Sequence, residues 1–223
     1  MESIRNRLIA STFKKIFPLL YHEFAWSYDI VAGLVSLGLW NQWISTTISF
    51  LDQSPMLELG FGRGHLQAQI LKHQLEIIGI DESRQMIRLA KRALSQAGFH
   101  PKLVHGTAQN LPFESASFLR VVATFPSEYI IDHRTLSEIH RILIKGGKVV
   151  ILPAAWITGG ALPHRFAAKV FQVTHQAPSK EQLETTWVHL LQTRLIEFGF
   201  KVSRNWLTLK NSEILLIIGE KPV

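Results

Sequence analysis

Apolar and polar positions change period several times along the chain, and each change marks an element. Residues 3–17 carry Ile4, Leu8, Phe13, Ile16 and Phe17 near helical spacing, with Arg5, Arg7, Lys14 and Lys15 mostly off that face. The spacing predicts an amphipathic helix, capped by Ser3 and ended by Pro18. A second apolar helical stretch covers about 30–50, contains Trp40 and Trp43, and is punctuated by Gly33 and Gly38. From Pro55 onward, short apolar runs alternate with amphipathic stretches. Strands are expected at about 56–60, 75–80, 102–105, 119–124 and 148–152. Helices are expected at about 64–73, 83–97 and 134–144, the last ending at Gly146-Gly147. This alternation implies a parallel, doubly wound sheet. Right-handed crossovers then bring the strand C-termini to one edge, where ligands bind.

Residues 153–180 break the rhythm with Pro153, Gly159, Gly160, Pro163 and Pro178, and read as a lid. A helix at 181–198 and strands at 200–208 and 212–219 follow, the strands joined at Lys210-Asn211. So tight a joint makes them antiparallel. At 223 residues the chain reads as one domain. It divides into a helical cap (1–50), a ligand-binding core (51–152), a lid (153–180) and a C-terminal helix and strand pair (181–223).

Composition narrows the chemistry. An apolar share of 47% supports a packed core. With no cysteine, disulfides, thiolate nucleophiles and cysteine metal sites are excluded. The ten histidines show no metal-ligand spacing, so no metal is expected. No apolar run reaches the roughly 18–20 residues of a membrane span, and Met1 to Arg7 is not followed by a signal-peptide core. We therefore expect a cytoplasmic protein able to sit peripherally at a membrane. The net charge of +7 is spread along the chain. Charge alone leaves an anionic membrane surface and nucleic acid level as partners. For segment 3–17 two compatible readings stand, a helix packed on its own domain and one lying in a membrane interface.

The richest local chemistry lies in Met56-Leu57-Glu58-Leu59-Gly60-Phe61-Gly62-Arg63-Gly64, followed by Ile77-Ile78-Gly79-Ile80-Asp81. It reads as a buried strand, a glycine turn, a helix, and a second strand ending in an acid. Glycines let backbone approach a ligand closely, and the helix start near Gly64 offers unpaired N–H groups. Asp81 stands where an acid accepts hydrogen bonds from ribose hydroxyls. The pattern is G-x-G-x-G, not the G-x-G-x-x-G of dinucleotide binders. Together with Glu58 and Asp81 it points to a nucleoside ligand.

These residues resemble the class I S-adenosylmethionine (SAM) methyltransferases, which have a Rossmann-like fold. Within them the chain looks most like the ubiquinone and menaquinone biosynthesis branch. The resemblance extends to Tyr28-Asp29-Ile30-Val31 and Ser36-Leu37-Gly38-Leu39-Trp40, to Asp81-Glu82-Ser83 with Met86, to His105 through Phe113, and to Glu138 and Arg141 to Gly147. It implies a mostly parallel seven-stranded sheet with a C-terminal antiparallel pair, N-terminal helices and a lid. It implies SAM as cofactor, held by Tyr28, Glu58, Gly60, Phe61, Gly62, Gly64, Asp81, Glu82, Met86, Thr107, Ala108, Gln109 and Thr124, with Asp81 on the ribose diol and Met86 against the adenine. The sequence departs from the family at Thr107, where an Asp usually meets the adenine amino group; the Thr107 hydroxyl can still accept a hydrogen bond, and Gln109 is an alternative substitute. It departs again at Leu119-Arg120, where an acid usually follows Phe118, and a local structural effect is expected there.

Methyl transfer from a sulfonium needs alignment and exclusion of water more than a catalytic cluster. Base candidates are His22, Tyr28, Glu128, Tyr129 and His164. Thr124-Phe125-Pro126-Ser127 lacks the signature of enzymes that methylate exocyclic or amide nitrogens, which disfavours a nucleic-acid base as acceptor. Phe125, Trp156 and the apolar lid fit a pocket for a hydrophobic small molecule, quinone-like or lipid-like. An RNA methyltransferase and a SAM-binding protein without methyl transfer stand as alternatives. Oligomeric state is not legible.

Overall fold

The computed structural model describes residues 38–158 and 187–223. The expected helix at 3–17, residues His22, Tyr28 and His164, and most of the lid lie outside them.

Seven strands form one sheet: β1 (Met56–Leu59), β2 (Ile77–Asp81), β3 (Lys102–His105), β4 (Phe118–Thr124), β5 (Leu143–Ile157), β6 (Lys201–Leu209) and β7 (Ser212–Glu220). Their spatial order is β3-β2-β1-β4-β5-β7-β6. The first five pair in parallel, and β7 joins β5 and β6 antiparallel. The described helices are α1 (Trp40–Ser45), α2 (His65–Lys72), α3 (Arg84–Gln96), α4 (His133–Ile142) and α5 (His189–Glu197), with short 3-10 turns at Ile48–Phe50 and Glu128–Ile131.

The strands alternate with period two, and this splits the core into two layers. Leu57, Leu59, Val121 and Ala123 pack with α4 and α5, through Leu136, Ile139, Leu191 and Leu195. Met56, Val122, Val150 and Leu216 pack with α1 and α2, through Trp43, Ile44, Leu66 and Ile70. β1 is buried on both faces, as a central parallel strand must be.

Three expectations are corrected. Helix 134–144 stops at Ile142, and Gly146-Gly147 lie inside β5, where the Gly146 N–H donates to the Lys221 carbonyl. β5 also runs on to Ile157, so residues 153–157 are strand and not lid. Pro153 is tolerated because it follows the last β4 pairing, Thr124↔Leu152, and falls where the β5–β7 register shifts between Ile151 and Ala154. The helical stretch expected at 30–50 breaks at Thr46 and Thr47, whose hydroxyls donate to the Trp43 and Ile44 carbonyls.

The loop after β3 is held from α4. Glu138 Oε2 accepts from the Leu111 N–H at 2.7 Å, and Arg141 donates to Glu138 and to the Leu111 and Phe113 carbonyls. Arg141→Ala removes every one of these guanidinium bonds. Its partly exposed position moderates the loss, and urea unfolding should show about 1–2 kcal/mol of destabilisation. An unchanged midpoint would mean the clamp does not hold the loop.

Candidate functional site

The C-terminal ends of β1, β2, β3 and β4 meet at one edge, and the glycine loop crosses it. Each glycine of the loop has its own reason. Gly60 has φ +67, and a Cβ there would stand 3.0 Å from the Tyr129 hydroxyl. Gly64 has φ +80, and its Cβ would press on Leu94 at 3.1 Å and Ala90 at 3.3 Å, so it permits α2 to pack against α3. Gly62 has φ +54, and among the described residues nothing lies within 4 Å of where a Cβ would be. Packing does not demand a glycine at 62. The left-handed backbone does, and the space beside it is open to a ligand.

Asp81, at the tip of β2, joins the loop to the sheet edge. Its Oδ2 accepts from the Gly62 N–H at 2.9 Å and its Oδ1 from the Ser83 N–H at 2.8 Å. Burial raises its carboxyl above the ordinary value, and the two backbone bonds oppose the rise. Each oxygen keeps a further lone pair with which to accept from a diol. Ser83 caps α3 by accepting from the Met86 N–H, and the Met86 side chain is buried behind that turn. The Gly106 N–H donates to the Asp81 carbonyl, which brings Thr107, Ala108 and Gln109 beside the acid. Thr107 is exposed and Ala108 and Gln109 half-buried, so the loop faces the open side of the edge. Glu82 is exposed, and its carbonyl meets the His105 ring at 3.1 Å.

Glu58 lies beneath the loop rather than on it. It is buried, and its Oε2 accepts from Gln67 Nε2 of α2 at 2.9 Å. Burial pushes its carboxyl up to about 8, with the Asp81 charge adding to the rise and the Gln67 bond opposing it. Gln67 was not singled out from sequence. The available signal was a polar residue on the same inward face of α2 as Leu66 and Ile70. Phe61 points inward as well: its ring packs with Ala90 and Leu94, and a Cβ on Gly79 would meet it at 2.6 Å. What Phe61 offers a ligand is backbone.

Thr124 ends β4 half-buried, level with Leu152 of β5. Phe125 follows with φ +48, and its ring stacks on Trp40 at 4.4 Å and leans on Trp43 at 6.1 Å. Glu128 is exposed. The Tyr129 hydroxyl donates to the Leu59 carbonyl at 3.1 Å, at the root of the glycine loop. Trp156 stands apart from this group on β5, its ring 5.4 Å from Trp206. The edge thus gathers Gly62, Asp81, the 107–109 loop, Thr124 and Tyr129. Among the described residues no group of three or more His, Cys, Asp or Glu is placed to hold a metal, and no helix is long and apolar enough to cross a membrane.

Comparison with known proteins agrees with this geometry. Residues 57–151 match the family described as Methyltransferase domain. A demethylmenaquinone methyltransferase of Thermotoga maritima is 32% identical over 146 residues, covering 62% of this chain and 62% of that protein. A ubiquinone/menaquinone biosynthesis C-methyltransferase of Geotalea uraniireducens is 27% identical over 142 residues, covering 60% of each. The chain thus spans about three fifths of the length of these relatives. A crystal structure of a candidate SAM-dependent methyltransferase from Methanococcus maripaludis superposes with TM-score 0.62 at 20% identity, over 89% of this chain and 92% of that one. The fold is therefore the Rossmann-like methyltransferase fold.

The pH response of Glu58 is a direct check on this site. Its folded value of about 8 lies above the ordinary 4.5. Between the two the unfolded chain releases a proton that the folded chain keeps, so the folded state loses stability as pH rises. The contribution is fully present below 4.5 and gone above about 8. Glu58→Gln keeps an acceptor for Gln67 and removes the titration. Urea unfolding should show the variant gaining on the parent protein across this window and no further above it. A constant difference at every pH would mean that Glu58 is ionised in the fold.

Proposed function

We propose that this chain, whose residues 57–151 match the family described as Methyltransferase domain, transfers a methyl group from SAM to a hydrophobic, quinone-like small molecule. The single observation that carries the cofactor reading is the open space at Gly62 beside the Asp81 carboxylate. The parts fit the cofactor. Asp81 has lone pairs for a ribose diol, the left-handed loop leaves room for a chain running past it, and the 107–109 loop borders the position an adenine would take. The absence of a carboxylate at Thr107 leaves hydroxyl and amide groups to meet the base. When bound, SAM supplies a methyl group already activated on sulfur.

The protein's part is to hold the acceptor in line with that methyl and to keep water out. Phe125 and Tyr129 flank the edge at the end of β4 and are the described residues best placed to wall an acceptor. Glu128, exposed just after β4, is the described carboxylate we assign to receive a proton if the acceptor must lose one. The quinone-like acceptor, and carbon as the atom methylated, are supported by the names of the two relatives. A basic amphipathic segment at 3–17 would bring the protein to the anionic membrane surface where such acceptors dissolve.

Calorimetry should detect SAM or S-adenosylhomocysteine binding to the purified chain. Asp81→Ala should weaken it by roughly 1.5–3 kcal/mol, the range for bonds to a charged group. Gly62→Val should abolish it while circular dichroism shows a folded domain. No binding of either compound at millimolar concentration would sink the reading. For the acceptor, incubation with a demethylated quinone and mass spectrometry of the product should place one methyl on ring carbon, and methylation at oxygen would overturn that assignment. Vesicle co-sedimentation of the full chain against one starting at Tyr21 tests the membrane role, and equal binding would end it.

A further inference from the structure

A second polar site lies at the opposite edge of the sheet. The register places Arg120 of β4 level with Lys148 of β5, Lys148 level with Glu220 of β7, and Glu220 level with Lys201 of β6. Register-matched residues of neighbouring strands share a face. Four adjacent strands therefore present a single row of three cations and one carboxylate. Arg120 lies near the start of β4 and is level with Met56, the first residue of β1, so the row is at the amino edge, away from Asp81 and Gly62. Ser203 stands two residues along β6 from Lys201, on the same face. These groups line a cavity of about 370 Å³ that also takes in Asp52 and the 3-10 turn through Ser49 and Phe50.

The charges within the cavity do not balance. Arg120, its side chain 6% exposed, donates to Asp52 at 2.8 Å, while Asp52 itself is largely in solvent. The buried Nε of Arg120 has no partner. Lys148 meets Glu220 at 3.4 Å. That uses both carboxylates, and Lys201 is left in no ion pair among the described residues. Like charges directly opposite one another on paired strands are destabilising, and Arg120 and Lys148 are such a pair. A bound anion would relieve that repulsion and meet Lys201 and the Ser203 hydroxyl. The sequence had singled out Arg120 only as a departure from the family pattern, and methyl transfer makes no use of it.

We propose that this cavity binds a phosphate group, carried either by a soluble phosphate ester or by a lipid headgroup. The volume admits one such group, and the donors are the ammonium, guanidinium and hydroxyl types that recognise phosphate oxygens. The site is separate from the cofactor edge and independent of the proposed methyl transfer.

Titration of the ¹⁵N-labelled full chain with inorganic phosphate tests it. Saturable shifts are expected at the amides of Lys201, Ser203 and Lys148. The double variant Lys201→Gln with Ser203→Ala should weaken binding roughly tenfold, the loss expected for a charge-assisted hydrogen bond. Lys210→Gln, on the exposed hairpin turn, should leave it unchanged. No saturable shift, shifts indifferent to the double variant, or an equal loss in Lys210→Gln would each overturn the proposal. Vesicles of phosphatidylcholine with and without phosphatidylglycerol separate the sources. A headgroup ligand predicts phosphatidylglycerol-dependent sedimentation that the double variant reduces and free phosphate competes away. A soluble ligand predicts saturable phosphate binding with no effect of the double variant on sedimentation.

Discussion

The Asp81 carboxylate and the two backbone N–H groups it accepts from, Gly62 and Ser83, hold the functional edge together. Gly62 belongs to the loop after β1, and Ser83 to the cap of α3 after β2. One side chain thus ties the glycine loop to the next βα junction and aligns both with the parallel strand ends. The contact requires Gly62 to keep a left-handed backbone, which glycine adopts readily. It also leaves the carboxylate buried enough to be raised in pKa, with each oxygen keeping a lone pair beyond its backbone bond.

The surrounding parts support that junction at different depths. Beneath it, Glu58 and Gln67 form a buried polar pair that fills the space between β1 and α2. Behind it, Phe61 and Leu94 close the angle between α2 and α3. To one side, the Glu138–Arg141 clamp fixes the chain that leaves the 107–109 loop. Across from it, Tyr129 reaches from the segment after β4 to the Leu59 carbonyl. The cofactor edge is thus tied to α2, α3, α4 and the segment after β4 by separate contacts.

Much of this was legible in the sequence. The runs at 56–60, 75–80 and 119–124 were legible as strands because apolar residues dominate them, and β1, β2 and β4 are buried on both faces along most of their length. Glu58, Gly62 and Asp81 were legible because each breaks an apolar run with a residue type that the run itself does not need. The length of β5 was not legible. Pro153 reads as a breaker, and only the pairing with β7, set by residues some sixty positions later in the chain, shows why it is tolerated. The place of Phe61 in the motif does not reveal that its ring packs on α3, because Ala90 and Leu94 come some thirty residues later in the chain. The Asp52–Arg120 pair was missed because its partners lie 68 residues apart, and Gln67 because its role depends on how α2 packs on β1.

The central claim is that the edge organised by Asp81 is a nucleoside cofactor site. Hydrogen–deuterium exchange of the full chain with and without S-adenosylhomocysteine tests it most directly. The account predicts slower exchange confined to peptides covering 58–66, 81–87 and 105–110, the three segments that meet at Asp81. Unchanged exchange in all three at saturating ligand, or protection found only elsewhere in the chain, would contradict it.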